Sequence, residues 1–126
     1  MLICMARTII PTTTIDRFGV SPASITSGDF ANGMKISNND GRMWVEMKNA
    51  SNASSVDVTF DIPRLFDDDL TIADIIVAIA PGGTKYAGPW KTTIFNQNYG
   101  GSTDNAVHIN LGSTGITFSG YRLEPA

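Results

Sequence analysis

The sequence predicts an all-β fold, an antiparallel β-sandwich of Ig-like or jelly-roll-like type with an extended N-terminal arm. Several short stretches alternate apolar and polar residues with a period of two, as strands with one buried face do. Gly, Pro and Asn separate these stretches at short intervals. Charged residues make up only 17% of the chain, and Ser, Thr and Asn together outnumber them. This composition favours strands and turns over helices.

The chain length limits the domain organisation. At about 100–200 residues per domain, 126 residues leave room for one domain. We assign residues 1–30 to the arm and residues 31–126 to the sandwich. The arm keeps no helical or strand period, yet it is too apolar to remain in water. We therefore expect the arm to lie along its own domain or on a neighbouring chain. Its residues Ile9, Ile10, Ile15 and Phe18 are the candidates for burial by a subunit or partner surface.

The middle of the chain carries the clearest strand signals. Residues 43–48 alternate, with three apolar side chains on one face. A short apolar piece at 34–36 precedes them, and the Asn-Asn-Asp-Gly segment at 38–41 predicts a hairpin between the two. Residues 56–62 alternate strictly and predict the next strand. Pro63 ends this strand because proline donates no hydrogen bond to a ladder.

The following segments are less periodic. Residues 73–80 are apolar on both faces, which predicts a strand whose outer face is also covered. Pro81-Gly82-Gly83 ends it and predicts a hairpin turn. Residues 90–95 are a further candidate strand.

Two strands are predicted near the C-terminus. Residues 106–111 alternate, with His108 on the polar face of an edge-like strand. Residues 116–123 form the final strand, in which Gly120 predicts a bulge. The bulge would bring to one side Phe118, Tyr121 and Leu123.

Charge and cysteine content exclude several classes of partner. The net charge of −3 argues against a nucleic-acid partner. Cys4 is the only cysteine, so the chain forms neither an intrachain disulfide nor a cysteine zinc cluster. The apolar start, Met1 to Met5, is soon followed by Arg7, and this pattern predicts neither a signal peptide nor a membrane span. We expect synthesis in a cytoplasm and no membrane partner.

The sequence offers no pattern for catalysis. Cys4 and His108 lie at opposite ends of the chain, and no partner pattern supports either as a catalytic group. The run of three aspartates at 67–69, with Asp74, is a candidate for calcium, but it lacks the spacing of an EF-hand loop, and a solvated loop explains it better. Residues 81–85 lack the glycine spacing of a phosphate loop. We expect no catalytic, cofactor or metal residues.

Aromatic residues offer an alternative function. Trp44, Tyr86, Trp90 and Tyr99 together would suit a sugar-stacking platform, as in a carbohydrate-binding module. The sequence favours a core or subunit contact over a free ligand site for at least one of the tryptophans. Trp90, which follows a Gly-Pro pair, therefore joins the arm residues as a candidate contact.

Several segments resemble a known protein family. These are Asn39–Asn49, Ile72–Asp74 and the stretch Ile76–Trp90, which contains Pro-Gly-Gly-Thr-Lys-Tyr-Ala-Gly-Pro-Trp. Residues 106–111 and 115–123 match the last two strands of the same pattern. The segments are similar to small head-decoration, or cement, proteins of tailed bacteriophages. The similarity covers residues 34–123 and leaves the arm outside.

The resemblance implies a structural role without catalytic residues. It suggests a protein made in the host cytoplasm that binds the major capsid protein lattice and stabilises the virion at the capsid surface. The apolar arm would serve self-association, and we expect a homo-oligomer, a trimer in preference to a dimer.

Overall fold

A computed structural model of the protein describes residues 7–50, 53–63, 65–66, 70–71, 73–97 and 105–124. The first six strands are β1 (Thr8–Ile9), β2 (Thr12–Ile15), β3 (Thr26–Ser27), β4 (Met34–Ile36), β5 (Met43–Asn49) and β6 (Val56–Phe60). The others are β7 (Leu65–Phe66), β8 (Leu70–Thr71), β9 (Ile75–Ile79), β10 (Thr84–Ala87), β11 (Val107–Leu111) and β12 (Ile116–Leu123). A single short helix among the described residues, α1, spans Thr92–Phe95.

The strands form two packed sheets, which confirms the predicted β-sandwich. The first sheet has the order β1-β4-β11-β6-β9, and the second has the order β10-β5-β12-β2, with β3 also on β12. Strands β7 and β8 pair only with each other. Most pairs are antiparallel, as predicted, but β1 pairs with β4 and β2 pairs with β12 in parallel. Both sheets are therefore mixed.

The core lies between the inner faces of the two sheets. Strands β5, β6 and β11 alternate buried and more exposed residues as their sequence predicts. Their apolar side chains interlock across the sandwich, which removes them from water and supplies the main stabilising term. The largest fully buried side chains include Met47, Phe60, Ile79, Ile109 and Phe118.

The predicted hairpin between residues 34–36 and 43–48 is wrong. Strand β4 pairs with β11 in the first sheet, whereas β5 pairs with β12 in the second. The turn between them carries the chain from one sheet to the other, with Asn38 and Gly41 at positive φ. Both strands contribute buried residues, and a period-two pattern reports which face is buried but not which sheet the strand joins.

Strands β9 and β10 are likewise not a hairpin, because β9 belongs to the first sheet and β10 to the second. Strand β9 was predicted to be covered on both faces, and this prediction is wrong. It is an edge strand, and the side chains of Ile75 and Ile76 are exposed. Strand β11, predicted to be edge-like, lies between β4 and β6.

Residues 90–95 form a corner that contains α1, and not the predicted strand. The backbone N–H groups of Phe95 and Asn96 donate to Lys91 and Thr92 carbonyl oxygens, which closes the turn of α1. Trp90 is buried and packs on Phe60, with ring centroids 5.5 Å apart. The corner thus places Trp90 and Phe95 in the core.

Strand β12 contains no bulge at Gly120. Its register with β5 runs unbroken from Ile116 to Arg122, so Phe118 faces the core while Tyr121 faces outward. The glycine is needed because β2 lies close by: an added Cβ would be 2.7 Å from Thr12 Cγ2. Close approach of two backbones, and not a bulge, therefore explains this glycine.

The described part of the predicted arm, residues 7–30, is built into both sheets. Strand β1 extends the first sheet, while β2 and β3 occupy the free side of β12 in the second. The link between β1 and β2 carries Ile10 into the core, where it is 1% exposed. No partner is needed to cover Ile10, because the chain covers it.

This position of Ile10 predicts a sharp contrast with its neighbour. Ile10→Ala should lower the free energy of unfolding by about 2–5 kcal/mol because it leaves a cavity in the core. Ile9→Ala should change it by less than about 0.5 kcal/mol, since Ile9 is 54% exposed. Urea unfolding of both variants provides the measurement. Equal losses would contradict the placement of residues 8–15 in the sheets.

Candidate functional site

The outer face of the second sheet carries a group of exposed and half-buried rings. Trp44 on β5 lies opposite Tyr121 on β12, and Tyr86 on β10 lies opposite Glu46. The Trp44 and Tyr121 rings stack, with centroids 5.6 Å apart and planes 22° apart. We call Trp44, Tyr86, Tyr121 and Leu123 the aromatic face.

An open cleft of about 350 Å³ lies in the aromatic face beside Trp44. Its lining is Gly41, Arg42, Trp44, Tyr86, Ala87, Gly88, Pro89 and Leu123. Gly88 lies against Trp44 at φ +122°, where an added Cβ would be 2.7 Å from the tryptophan Cβ. The Gly-Pro pair after β10 therefore forms one wall of the cleft, and the wall needs a glycine.

Arg42 lines the cleft, and other charged side chains bond to lining residues. The Tyr86 hydroxyl donates a 2.6 Å hydrogen bond to Glu46, and this bond and the nearby negative charge raise the pKa of Tyr86. Arg42 pairs with Asp40, with 3.0 Å between Nη2 and Oδ2. Arg122 Nε donates to the same oxygen at 2.6 Å.

The pKa of Asp40 reflects two opposing effects. Burial alone would raise the pKa of Asp40, but hydrogen bonds and the positive charges of Arg122 and Arg42 hold it below its ordinary value. The pairs fix the turn that leads into β5.

A loop of the N-terminal region, residues 16–25, lies next to the aromatic face. The Ala23 N–H donates to the Tyr121 hydroxyl oxygen at 3.2 Å, which holds the loop against this side of the sheet. The loop begins with a turn in which Asp16 accepts the Phe18 N–H. Phe18 is 84% exposed and Ile25 is 75% exposed. We call residues 16–25 the N-terminal loop.

The predicted contact residues are separated in the structure. Phe18 lies exposed in the N-terminal loop, and Ile15 is half-buried beside Leu123. Ile9 is exposed on β1, at the edge of the other sheet. Ile10 and Trp90 are buried within the chain itself, which leaves them little surface for a partner.

The predicted sugar platform is only partly assembled. Trp44 and Tyr86 lie together on the aromatic face, Trp90 is in the core, and Tyr99 falls outside the described residues. Tyr121 completes the stacked pair and was not predicted. The alternation of β12 contained the signal, because it places Tyr121 on the face opposite Phe118 when no bulge is assumed.

The aspartates considered for calcium are not assembled by the described part of the chain. Asp74 accepts the Ile62 N–H at 2.8 Å and interacts with Asp61. The run at 67–69 lies outside the described residues. Among those that are described, no three His, Cys, Asp or Glu side chains form a group suited to a metal ion.

Comparisons with protein-family models, curated proteins and solved structures find no match for this chain. In the described part of the chain, no helix has the length and hydropathy to cross a membrane.

The pair Asp61 and Asp74 predicts a pH-dependent stability. Burial, followed by the charge and hydrogen bond of Asp74, raises the pKa of Asp61 above its unfolded value. Ionised Asp61 therefore destabilises the fold above its folded pKa, and this cost disappears as the pH falls below the unfolded pKa of about 3.9. Asp61→Asn should raise the free energy of unfolding at pH 7 because a neutral amide can donate to Asp74.

The advantage of the variant should shrink as the pH falls from about 7 to about 4. Urea unfolding at several pH values measures it, with Asp57→Asn, at an exposed position of β6, as the control. An advantage that stays constant with pH, or that is equal in the control, would contradict a raised Asp61 pKa.

Proposed function

We propose that this protein is a structural virion protein that attaches to a lattice of major capsid protein and stabilises it, as the phage head-decoration proteins that it resembles are thought to do. The observation that carries the proposal is the apolar surface made by the N-terminal loop and the aromatic face. Apolar surface of this kind, bordered by polar groups, is typical of protein contact sites.

The energetics suit attachment through this surface. Phe18 and Ile25 are largely exposed, so burying each one against a partner contributes on the order of 1.5–3 kcal/mol. Rings such as Trp44 and Tyr86 are typical anchors of protein interfaces because they bury large areas with little loss of conformational entropy. Copies joined in one oligomer would bind neighbouring lattice sites together, which multiplies a modest individual affinity.

The charges around the proposed contact surface determine the orientation of a bound partner more than they strengthen its binding. Arg42 lines the cleft, and Glu46 accepts a hydrogen bond from Tyr86, another lining residue. Arg17 lies over the Phe18 ring, with its guanidinium carbon 5.1 Å from the ring centroid. Charges at the border of an apolar contact select the partner's orientation and disfavour wrong partners.

Attachment is tested by co-sedimentation with shells assembled from the major capsid protein encoded in the same genome. Phe18→Ser should weaken binding at least about tenfold because it removes an anchor from the proposed contact. Phe30→Ser is the matched control: Phe30 is also exposed, but it lies in the turn before β4, outside the N-terminal loop. Equal binding by wild type and Phe18→Ser, or equal loss in both variants, would contradict the proposal.

Carbohydrate binding is a second candidate, favoured by the cleft itself. The Trp44 ring and the exposed Tyr86 ring border an open space of a size that can hold a sugar ring. The apolar face of a sugar packs on such rings, and Glu46 and Arg42 supply hydrogen-bonding groups at the border. The site would serve contact with host glycans.

A glycan array with the wild-type chain tests this candidate. Tyr86→Ala should abolish a specific signal, whereas Tyr86→Phe should keep most of it, since stacking survives when only the hydroxyl is removed. Tyr86 is exposed, so neither change should unfold the protein. The absence of any competable glycan signal for the wild type would reject the candidate and leave the structural role.

A further inference from the structure

Strand β9 forms an unprotected edge of the first sheet. Strand β6 pairs with one side of β9, and no described strand pairs with the other. Its five residues are Ile-Ile-Val-Ala-Ile, without a charge or a proline. Ile76 is 61% exposed and Ala78 is also exposed. The free side therefore offers both backbone hydrogen-bonding groups and apolar side chains.

The other described edges carry features that oppose further pairing. Natural sheets guard their edges with charged side chains, prolines or very short strands. At the opposite edge of the first sheet, β1 has two residues. In the second sheet, β10 carries Lys85, and Pro11 directly precedes β2. Strand β9 has none of these guards along its five residues.

The apolar exposure on the outer face is confined to β9 itself. Asp57 of β6 lies opposite Ala78 in the ladder. Thr59 lies opposite Ile76, and Asn110 of β11 follows beyond Thr59. Because the neighbouring strands present polar groups, a partner that covers β9 gains most by pairing beside the edge and not by packing on the face.

We propose that β9 pairs with β9 of a second copy of this chain, antiparallel, about a two-fold axis that passes through the sheet at Val77. The two first sheets then form one continuous sheet. This contact lies outside the proposed attachment surface, and it adds to the proposed function without depending on it.

The pleat selects this register. The axis keeps the cores of both copies on the same side of the joined sheet, so odd-numbered residues of β9 must face odd-numbered residues. Of the registers that satisfy this rule, the one centred on Val77 pairs all five residues. Ile75 then faces Ile79 of the second copy, and Val77 faces its own counterpart. About four to six new backbone hydrogen bonds result, depending on which residues of β9 direct their N–H and C=O groups toward the free edge.

The side chains of β9 are self-complementary in this register. On the outer face, Ile76 of each copy packs beside Ala78 of the other, a large side chain next to a small one. On the inner face, Ile75 gains a cover from Ile79 at a position where the chain leaves it exposed. Asp74, at the end of the strand, faces Ala80, so no like charges meet. This symmetry favours a second copy over a strand from another protein.

The contact is small compared with permanent interfaces, so we expect a reversible dimer that forms with rising concentration. Sedimentation velocity from about 1 µM to about 1 mM should show the mass doubling, with a dissociation constant in this range. Hydrogen exchange at the lowest and the highest of these protein concentrations should show slower exchange of the β9 amides in the dimer.

Ile76→Lys places a charge on the outer face of β9, beside Ala78 of the second copy, and should raise the dissociation constant of the dimer at least tenfold. The matched control is Ile9→Lys, an exposed isoleucine on the opposite edge of the same sheet, which should dimerise as the wild type does. Thermal unfolding checks that both variants fold, and Ala78→Lys provides a second disruption of the same edge.

Three results would overturn the proposal. The first is a wild-type chain that stays monomeric throughout, which would leave the edge to a strand of a different protein. The second is unchanged dimerisation of both lysine variants on β9. The third is an oligomer, including the trimer expected from the sequence, in which the β9 amides exchange as fast as in the monomer.

Discussion

The fold depends on how the chain crosses between its two sheets without leaving backbone groups unpaired. Asn39 and Asn49, both buried, serve this purpose at two crossings. The Asn39 amide donates to the Trp90 carbonyl oxygen at 3.0 Å and to Asn96 at 2.8 Å. The Asn49 amide donates to Ser54 and Ile79 carbonyl oxygens at 2.9 and 3.0 Å. A buried carbonyl without a partner is costly, and asparagine side chains supply the partners that no ladder provides there.

The chain changes sheets at most of its connections, and these changes determine which strands lie at the edges of the sandwich. The chain changes sheets between β1 and β2 on one flank and between β9 and β10 on the other. On the first flank the strands are short, and Arg7 further ties the chain down by donating to Ile109 O and Asn110. On the second flank the five-residue β9 remains open. The path of the chain thus leaves one apolar edge free.

Alternation in the sequence predicted the strands but not their partners. The stretches that became β5, β6 and β11 alternate because each has one face in the core, and this local signal survives without knowledge of the neighbours. Sheet membership depends on residues distant in sequence, so a turn rich in Asn and Gly predicted a hairpin where the chain in fact changes sheets. Strands β2 and β3 escaped prediction because they pair with β12, which comes from the far end of the chain, and Gly120 leaves the room that β2 needs.

The aromatic face was predicted only in part, because the sequence does not show whether an aromatic residue on a strand fills the core or lies on an outer surface. Trp90 is buried in the corner that precedes α1, whereas Trp44 lies on the outward-facing side of the β5 alternation. The two proposed contacts use separate surfaces of the protein. Attachment would use the outer face of the second sheet, whereas self-pairing would use an edge of the first. Neither contact covers the other, so a protein bound to a lattice would keep β9 free to join a neighbouring copy.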